Sequence, residues 1–167
     1  AIVTDDDALA RSARMFANHG RVDKYDHELE GVNSRLDALQ AAILGVKLKH
    51  LPRWTEARRN NATLYSRQLA GSGLTTPFEI EGVRAVYHLY VIRVPGERRV
   101  ALQAHLQSKG ISTGIHYPIA LPNLKAYAYL NHTEADYPAA TKASREILSL
   151  PLYPELREDE VEYIGEA

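Results

Sequence analysis

Two residues at close spacing, Asn33 and Arg35, stand just ahead of a long run of helical periodicity. An amide offers two N–H donors, and a guanidinium offers a fork that fits a carboxylate or a phosphate bidentately. If the helix opens at Ser34, its unpaired backbone N–H groups and partial positive charge favour an anion at the same place. The plain alternatives are a capping-region asparagine and a solvated arginine. A second group is His116-Tyr117, followed by Pro118. The residue before a proline is driven to an extended conformation, so Tyr117 is held rigidly. This pair is either part of a site or a structural corner. Tyr25 and His27 form a third group, in a polar loop before Gly31, and the alternative there is an ordinary surface loop. The chain has seven histidines but no close metal-ligand spacing, so no metal is assigned.

Helices, strands and turns must position these groups. Thr4 and the acids Asp5 to Asp7 read as the start of a helix that runs to about Asn18 and stops at Gly20. Ala1 to Val3 read as the cut end of a buried strand, and the chain as a fragment whose beginning is lost. Residues 21–32 read as an ordered loop. Ser34 is expected to open the longest helix, with Leu36, Leu39, Ile43 and Val46 at helical spacing. That helix is expected to break or kink at Pro52, with a second helical stretch to about Leu69. From Val86 to Val94 the period becomes two, a strand. A helix from Glu97 to Lys109, a strand from Ile111 to Tyr117, a helix from Pro138 to about Leu148, a short strand from Leu150 to Tyr153 and a last helix from Glu158 to Glu166 follow. The division this implies is 1–33, 34–70 for the long helix, and 71–167 for a small α+β lobe with a mainly antiparallel sheet.

Composition narrows the function classes. The 167 residues carry a net charge of −1, which gives no electrostatic case for nucleic acid or an anionic membrane. No apolar run approaches the roughly 20 residues of a spanning helix. Cysteine is absent, which removes disulfides, thiolate catalysis and cysteine metal sites, and slightly favours a reducing compartment.

Three stretches together carry a resemblance: Lys24-Tyr25-Asp26-His27 with Gly31-Val32-Asn33-Ser34-Arg35-Leu36-Asp37; Tyr87-His88-Leu89-Tyr90; and Gly110 to Pro118, with Leu148 to Pro154 behind it. In this order the chain resembles the DegT/StrS-type nucleotide-sugar aminotransferases, a fold-type I pyridoxal-phosphate (PLP) family. The likeness covers essentially the whole chain. It departs from the family at Ala120-Leu121-Pro122, where members commonly carry proline and leucine-histidine.

The resemblance implies an α/β fold and the C-terminal part of such an enzyme. In that frame, residues 1–33 are a remnant of the large PLP-binding domain. It implies that Asn33 reaches the phosphate of pyridoxal 5'-phosphate across a homodimer interface with shared active sites. Arg35 then lies near the acid of the amino donor or the sugar nucleotide, and Tyr25, His27, His116 and Tyr117 border the substrate. The pattern around Tyr25 and His27 is similar to that of members acting on 3-keto sugars, with glutamate as the usual donor. Transamination also needs a lysine that holds the cofactor as a Schiff base. By the resemblance this lysine lies upstream of the chain, so no residue here is assigned a catalytic role and the chain alone is expected to be inactive. The alternative is a non-catalytic dimerisation or regulatory module derived from the family. A cytoplasmic location is expected.

Overall fold

The computed structural model describes residues 2–167 and divides the chain into two compact units, with the boundary between Lys49 and His50. That boundary falls inside the span 34–70 expected as one helix.

The first unit holds α1 (Asp7–Ala17) and α2 (Ala38–Leu48). The cap of α1 is Asp6 rather than Thr4: its carboxylate accepts from Ala8 N at 2.8 Å and Leu9 N at 3.0 Å. Thr4 instead accepts from the backbone N–H of Asp6, one step outside the helix. The expected strand end at 1–3 is not a strand at Ile2 and Val3, which are exposed coil, and Ala1 lies outside the described residues. α1 ends as expected near Asn18, where Gly20 takes a positive φ of 75° and donates to Met15 O. A Cβ on Gly20 would stand 1.6 Å from Leu29 O, so no other residue fits there.

The loop after α1 folds back on it. Val32 N donates to Phe16 O, His19 N to Val32 O and Ser34 N to Ala17 O. These bonds make an antiparallel bridge between Asn18 and Asn33. α2 does not open at Ser34: the chain stays outside the helix until Asp37, whose carboxylate caps α2 by accepting from Gln40 N at 2.8 Å. α2 buries none of its residues.

The second unit begins with α3 (Leu51–Gln68). Of the break or kink expected near Pro52, the structure has a break. Lys49 and His50 separate α2 from α3, and Pro52 stands in the first turn of α3, where the lost N–H would have no helical partner. β1 (Tyr90–Arg93) and β2 (Ile147–Leu150) pair antiparallel, with Tyr90 opposite Leu150 and Arg93 opposite Ile147. α4 (Arg98–Ser108), α5 (Pro138–Glu146) and α6 (Glu158–Glu166) complete the unit, with three short 3-10 turns between Leu121 and Asp136. The core joins Tyr65 and Leu69 of α3, Tyr90 and Ile92 of β1, Leu106 of α4, Leu148 and Leu150 of β2, and Val161 and Ile164 of α6. Tyr65 and Tyr90 stack at 4.9 Å, and the Tyr65 hydroxyl donates to Pro151 O at 2.9 Å. Burial pushes the Tyr65 phenol up, so it stays a neutral donor.

Both strands differ from the alternation-based expectation. β1 covers only 90–93 of 86–94, because the carbonyls of Tyr87 and His88 accept from Arg58 instead of a neighbouring strand. β2 begins three residues before Leu150, at the end of α5, and is nearly buried on both faces, so it shows no alternation to read. The strand expected at 111–117 reduces to a single bridge between Gly114 and Ser149.

Candidate functional site

In the first unit, the bridge between Asn18 and Asn33 places two amides beside Arg35. Arg35 Nε donates to Asn33 Oδ1 at 3.2 Å, and Arg35 Nη1 donates to Asn18 Oδ1 at 3.2 Å. The guanidinium is thus oriented by two neutral oxygens, and among the described residues it forms no ion pair. The Asn33 amide nitrogen has no acceptor among the described residues, and both side chains are exposed. The donor set therefore suits a phosphate or carboxylate: one uncompensated cation and one free amide. One expectation is corrected. The helix N-terminus is at Ala38, four positions past Ser34, so α2 does not supply N–H groups beside Asn33.

Tyr25 and His27 lie in the same unit, in the loop that Arg21 and His27 bridge. Tyr25 is 82% exposed, and its backbone N–H donates to Asp23 Oδ1 at 2.8 Å. The N–H groups of Tyr25 and Asp26 hold the Asp23 carboxyl below its usual range. His27 Nδ1 lies 2.7 Å from His19 O. A carbonyl only accepts, so Nδ1 carries the proton and a neutral His27 presents Nε2 as an acceptor.

His116 and Tyr117 belong to the second unit. Their peptide bond is cis, and their rings meet edge to face at 5.6 Å. His116 Nδ1 is 2.9 Å from Ser149 Oγ, and Tyr117 is 72% exposed. Tyr117, Pro118, Ile119, Leu121 and Leu124 line a small apolar hollow. His88 and Tyr90 separate: Tyr90 is fully buried, while His88 contributes a carbonyl to Arg58. Asn18 and Ser149 were not singled out by sequence. Asn18 reads there only as a helix end, and Ser149 only as part of a run behind the histidine-tyrosine-proline turn.

No group of three or more histidines, cysteines or acids is placed to hold a metal among the described residues. No helix among them is long and apolar enough to cross a membrane.

A pattern describing the DegT/DnrJ/EryC1/StrS aminotransferase family matches residues 1–167. The chain belongs to this family. Among similar DegT/DnrJ/EryC1/StrS relatives is a "Pleiotropic regulatory protein" from Geobacillus stearothermophilus, 46% identical over 99% of this chain and 45% of that protein. A dTDP-3-amino-3,4,6-trideoxy-alpha-D-glucose transaminase from Streptomyces venezuelae is 41% identical over 93% of this chain and 41% of its own length. The crystal structure of S. venezuelae DesV in complex with a ketimine intermediate superposes with a TM-score of 0.89 at 39% identity, covering 98% of this chain and 44% of that one. PLP and PMP forms of a putative sugar aminotransferase, Spr1654 from Streptococcus pneumoniae, match with TM-scores of 0.84 and 0.85 at 28% identity, each covering 99% of this chain, with 44% and 43% of those chains covered. The chain thus spans less than half the length of these relatives. As a DegT/DnrJ/EryC1/StrS member it has the fold of the C-terminal part of these aminotransferases, helices around a small antiparallel sheet.

Proposed function

We propose that the complete protein is a PLP-dependent aminotransferase that places an amino group, taken from glutamate, on a nucleotide-linked 3-keto sugar. The observation that carries this reading is the Arg35 guanidinium, aimed by Asn18 and Asn33 and met by no carboxylate among the described residues. When bound, PLP supplies an electron sink that lets an amino group move between two carbon skeletons. Asn33 donates its amide hydrogens to the cofactor phosphate of the partner subunit in a homodimer with shared sites. Arg35 orients an acid group of the donor or the sugar nucleotide. Tyr25, His27, His116 and Tyr117 border the sugar.

In this reading the lysine that binds the cofactor is none of the six in this chain, as the family resemblance implies. Lys24 lies in a polar loop, Lys47, Lys109 and Lys142 in helices or at a helix end, Lys49 between α2 and α3, and Lys125 after the histidine-tyrosine-proline turn. The 167 residues alone therefore transfer no amino group. A cytoplasmic location belongs to the same proposal. A second reading, a regulatory module without catalysis, draws support from the name of the Geobacillus relative. One assay separates the two. The complete protein is given PLP, glutamate and a panel of dTDP- and UDP-linked 3-keto sugars, and amino sugar and 2-oxoglutarate are followed together. Stoichiometric appearance of both is expected. Binding of the sugars without either product would favour the regulatory module.

A further inference from the structure

Ser149 lies on β2 and is 4% exposed. Its backbone is fixed twice over: its N–H donates to Gly114 O at 2.7 Å and its carbonyl accepts from Gly114 N at 3.1 Å. Its hydroxyl has one partner among the described residues, His116 Nδ1 at 2.9 Å. Leaving a buried hydroxyl proton without an acceptor costs more than a typical hydrogen bond contributes. The hydroxyl therefore donates and Nδ1 accepts. A neutral imidazole whose Nδ1 accepts carries its proton on Nε2. The other assignment, with Nδ1–H donating, would leave the Ser149 proton with nowhere to go.

The ring is also seated from below. A Cβ on Gly114 would stand 2.5 Å from His116 Cε1, 3.3 Å from Nδ1 and 3.4 Å from Nε2. The imidazole thus lies against the face of Gly114 where any larger residue would displace it. The Tyr117 ring meets it edge-on, at 81° between planes. His116 itself is exposed, and its Nε2 has no hydrogen-bond partner among the described residues.

We propose that Ser149 and Gly114 are positioning residues that hold His116 as the Nε2–H tautomer, a neutral donor for an acceptor oxygen of the substrate. The proposal rests on the reading of His116 as a substrate-facing residue. Two experiments keep the two claims apart. In the first, the histidine ring nitrogens of the complete protein are observed by nitrogen-15 NMR at a pH where the ring is neutral, with His116 assigned by its loss in His116→Asn. A protonated Nε2 and an unprotonated Nδ1 are expected, and Ser149→Ala should move the Nδ1 signal towards the average of a freely exchanging ring. A proton on Nδ1, or no change in Ser149→Ala, overturns the positioning role. In the second, the complete protein is assayed. Ser149→Ala and Gly114→Ala should each raise the KM for the sugar nucleotide about 3- to 10-fold, the equivalent of one neutral hydrogen bond, with little change in kcat. If the tautomer is as stated but His116→Ala leaves that KM unchanged, the substrate-facing reading is the part that fails.

Discussion

Arg35 differs from the chain's ion-paired arginines. Arg11, Arg59, Arg84, Arg93, Arg145 and Arg157 all meet carboxylates, whereas Arg35 meets only the amide oxygens of Asn18 and Asn33. An amide orients a guanidinium without neutralising it, so the charge stays available to a ligand. Asn33 and Arg35 should therefore separate in mutational tests of the complete protein. In the proposed role Asn33→Ala removes a hydrogen bond to a charged phosphate, worth roughly 1.5–3 kcal/mol, and cofactor affinity should fall about 10- to 150-fold. Arg35→Ala should leave cofactor affinity near its original value and raise the KM for donor or sugar. Titrating each apo-variant with PLP by fluorescence checks the first half, and steady-state kinetics at saturating PLP the second. Equal loss of cofactor affinity in both variants would merge the two roles. At this scale the sequence was readable where a residue type declares its chemistry, as an arginine beside an asparagine does. It was silent on Asn18, because the hydrogen bond that joins Asn18 to Arg35 spans 17 positions and leaves no local pattern. Ser149 was hidden for the same reason: its hydroxyl matters only through a histidine 33 positions away.

Between α3 and β1 the chain is irregular, and side chains hold it in place of a sheet. Arg58 donates to the carbonyls of Tyr87, His88 and Leu152. Arg59 pairs with Glu79 and also donates to Ala85 O, while Ala85 N donates back to Glu79 at 3.2 Å. Two adjacent arginines of one helix thus clasp this stretch: Arg59 the residues before Val86, and Arg58 the first part of the segment whose period-two pattern suggested a strand. Alternation was real, but the carbonyls of Tyr87 and His88 found a guanidinium donor rather than a neighbouring strand. The helices fared better, because periodicity and caps are local. α4 and α6 fall within about one residue of expectation, while α2 starts late because Asp37, not Ser34, caps it. The clasp also predicts a pH response. The Arg59 side chain, through its hydrogen bond first, holds the Glu79 carboxyl below its usual range. A carboxyl whose pKa is depressed by folding adds stability above its unfolded value, about 4.3, and that contribution is lost as pH falls through the folded value. The Ala85 amide signal should hold steady from neutral pH down to about pH 5 and shift below about pH 4. Glu79→Gln should show a shifted signal at neutral pH and no further change in the acid window. An Ala85 signal that ignores both acid and the substitution would mean the clasp is absent.

For the whole molecule, the decisive fact is what α2 fails to bury. Leu39 is 73% exposed, Ile43 52% and Val46 63%, and no residue of the helix is buried. A helix this apolar has little reason to face water, and patches of this kind mark contact surfaces. The chain spans less than half of its relatives, and in the proposed complete enzyme the remaining residues and a second subunit would be available to cover it. The proposed sharing of sites makes a specific prediction about the second subunit. Closed two-fold symmetry means that if Asn33 of one subunit serves the cofactor of the other, the exchange is reciprocal. Consider one subunit in which the Schiff-base lysine of the proposed reaction is replaced, and a second that carries Asn33→Ala. Each homodimer is impaired in both sites, the second most clearly at limiting PLP. In the heterodimer one site collects both defects, while the other pairs an intact lysine with an intact Asn33. Differently tagged subunits allow the heterodimer to be isolated and assayed at limiting PLP. About half the activity of the wild-type dimer should return, as symmetry requires. If each site were built from one subunit alone, one site would lack its lysine and the other would keep its Asn33 defect. The heterodimer would then be no more active than the average of its parents, and the cross-subunit role of Asn33 would be lost.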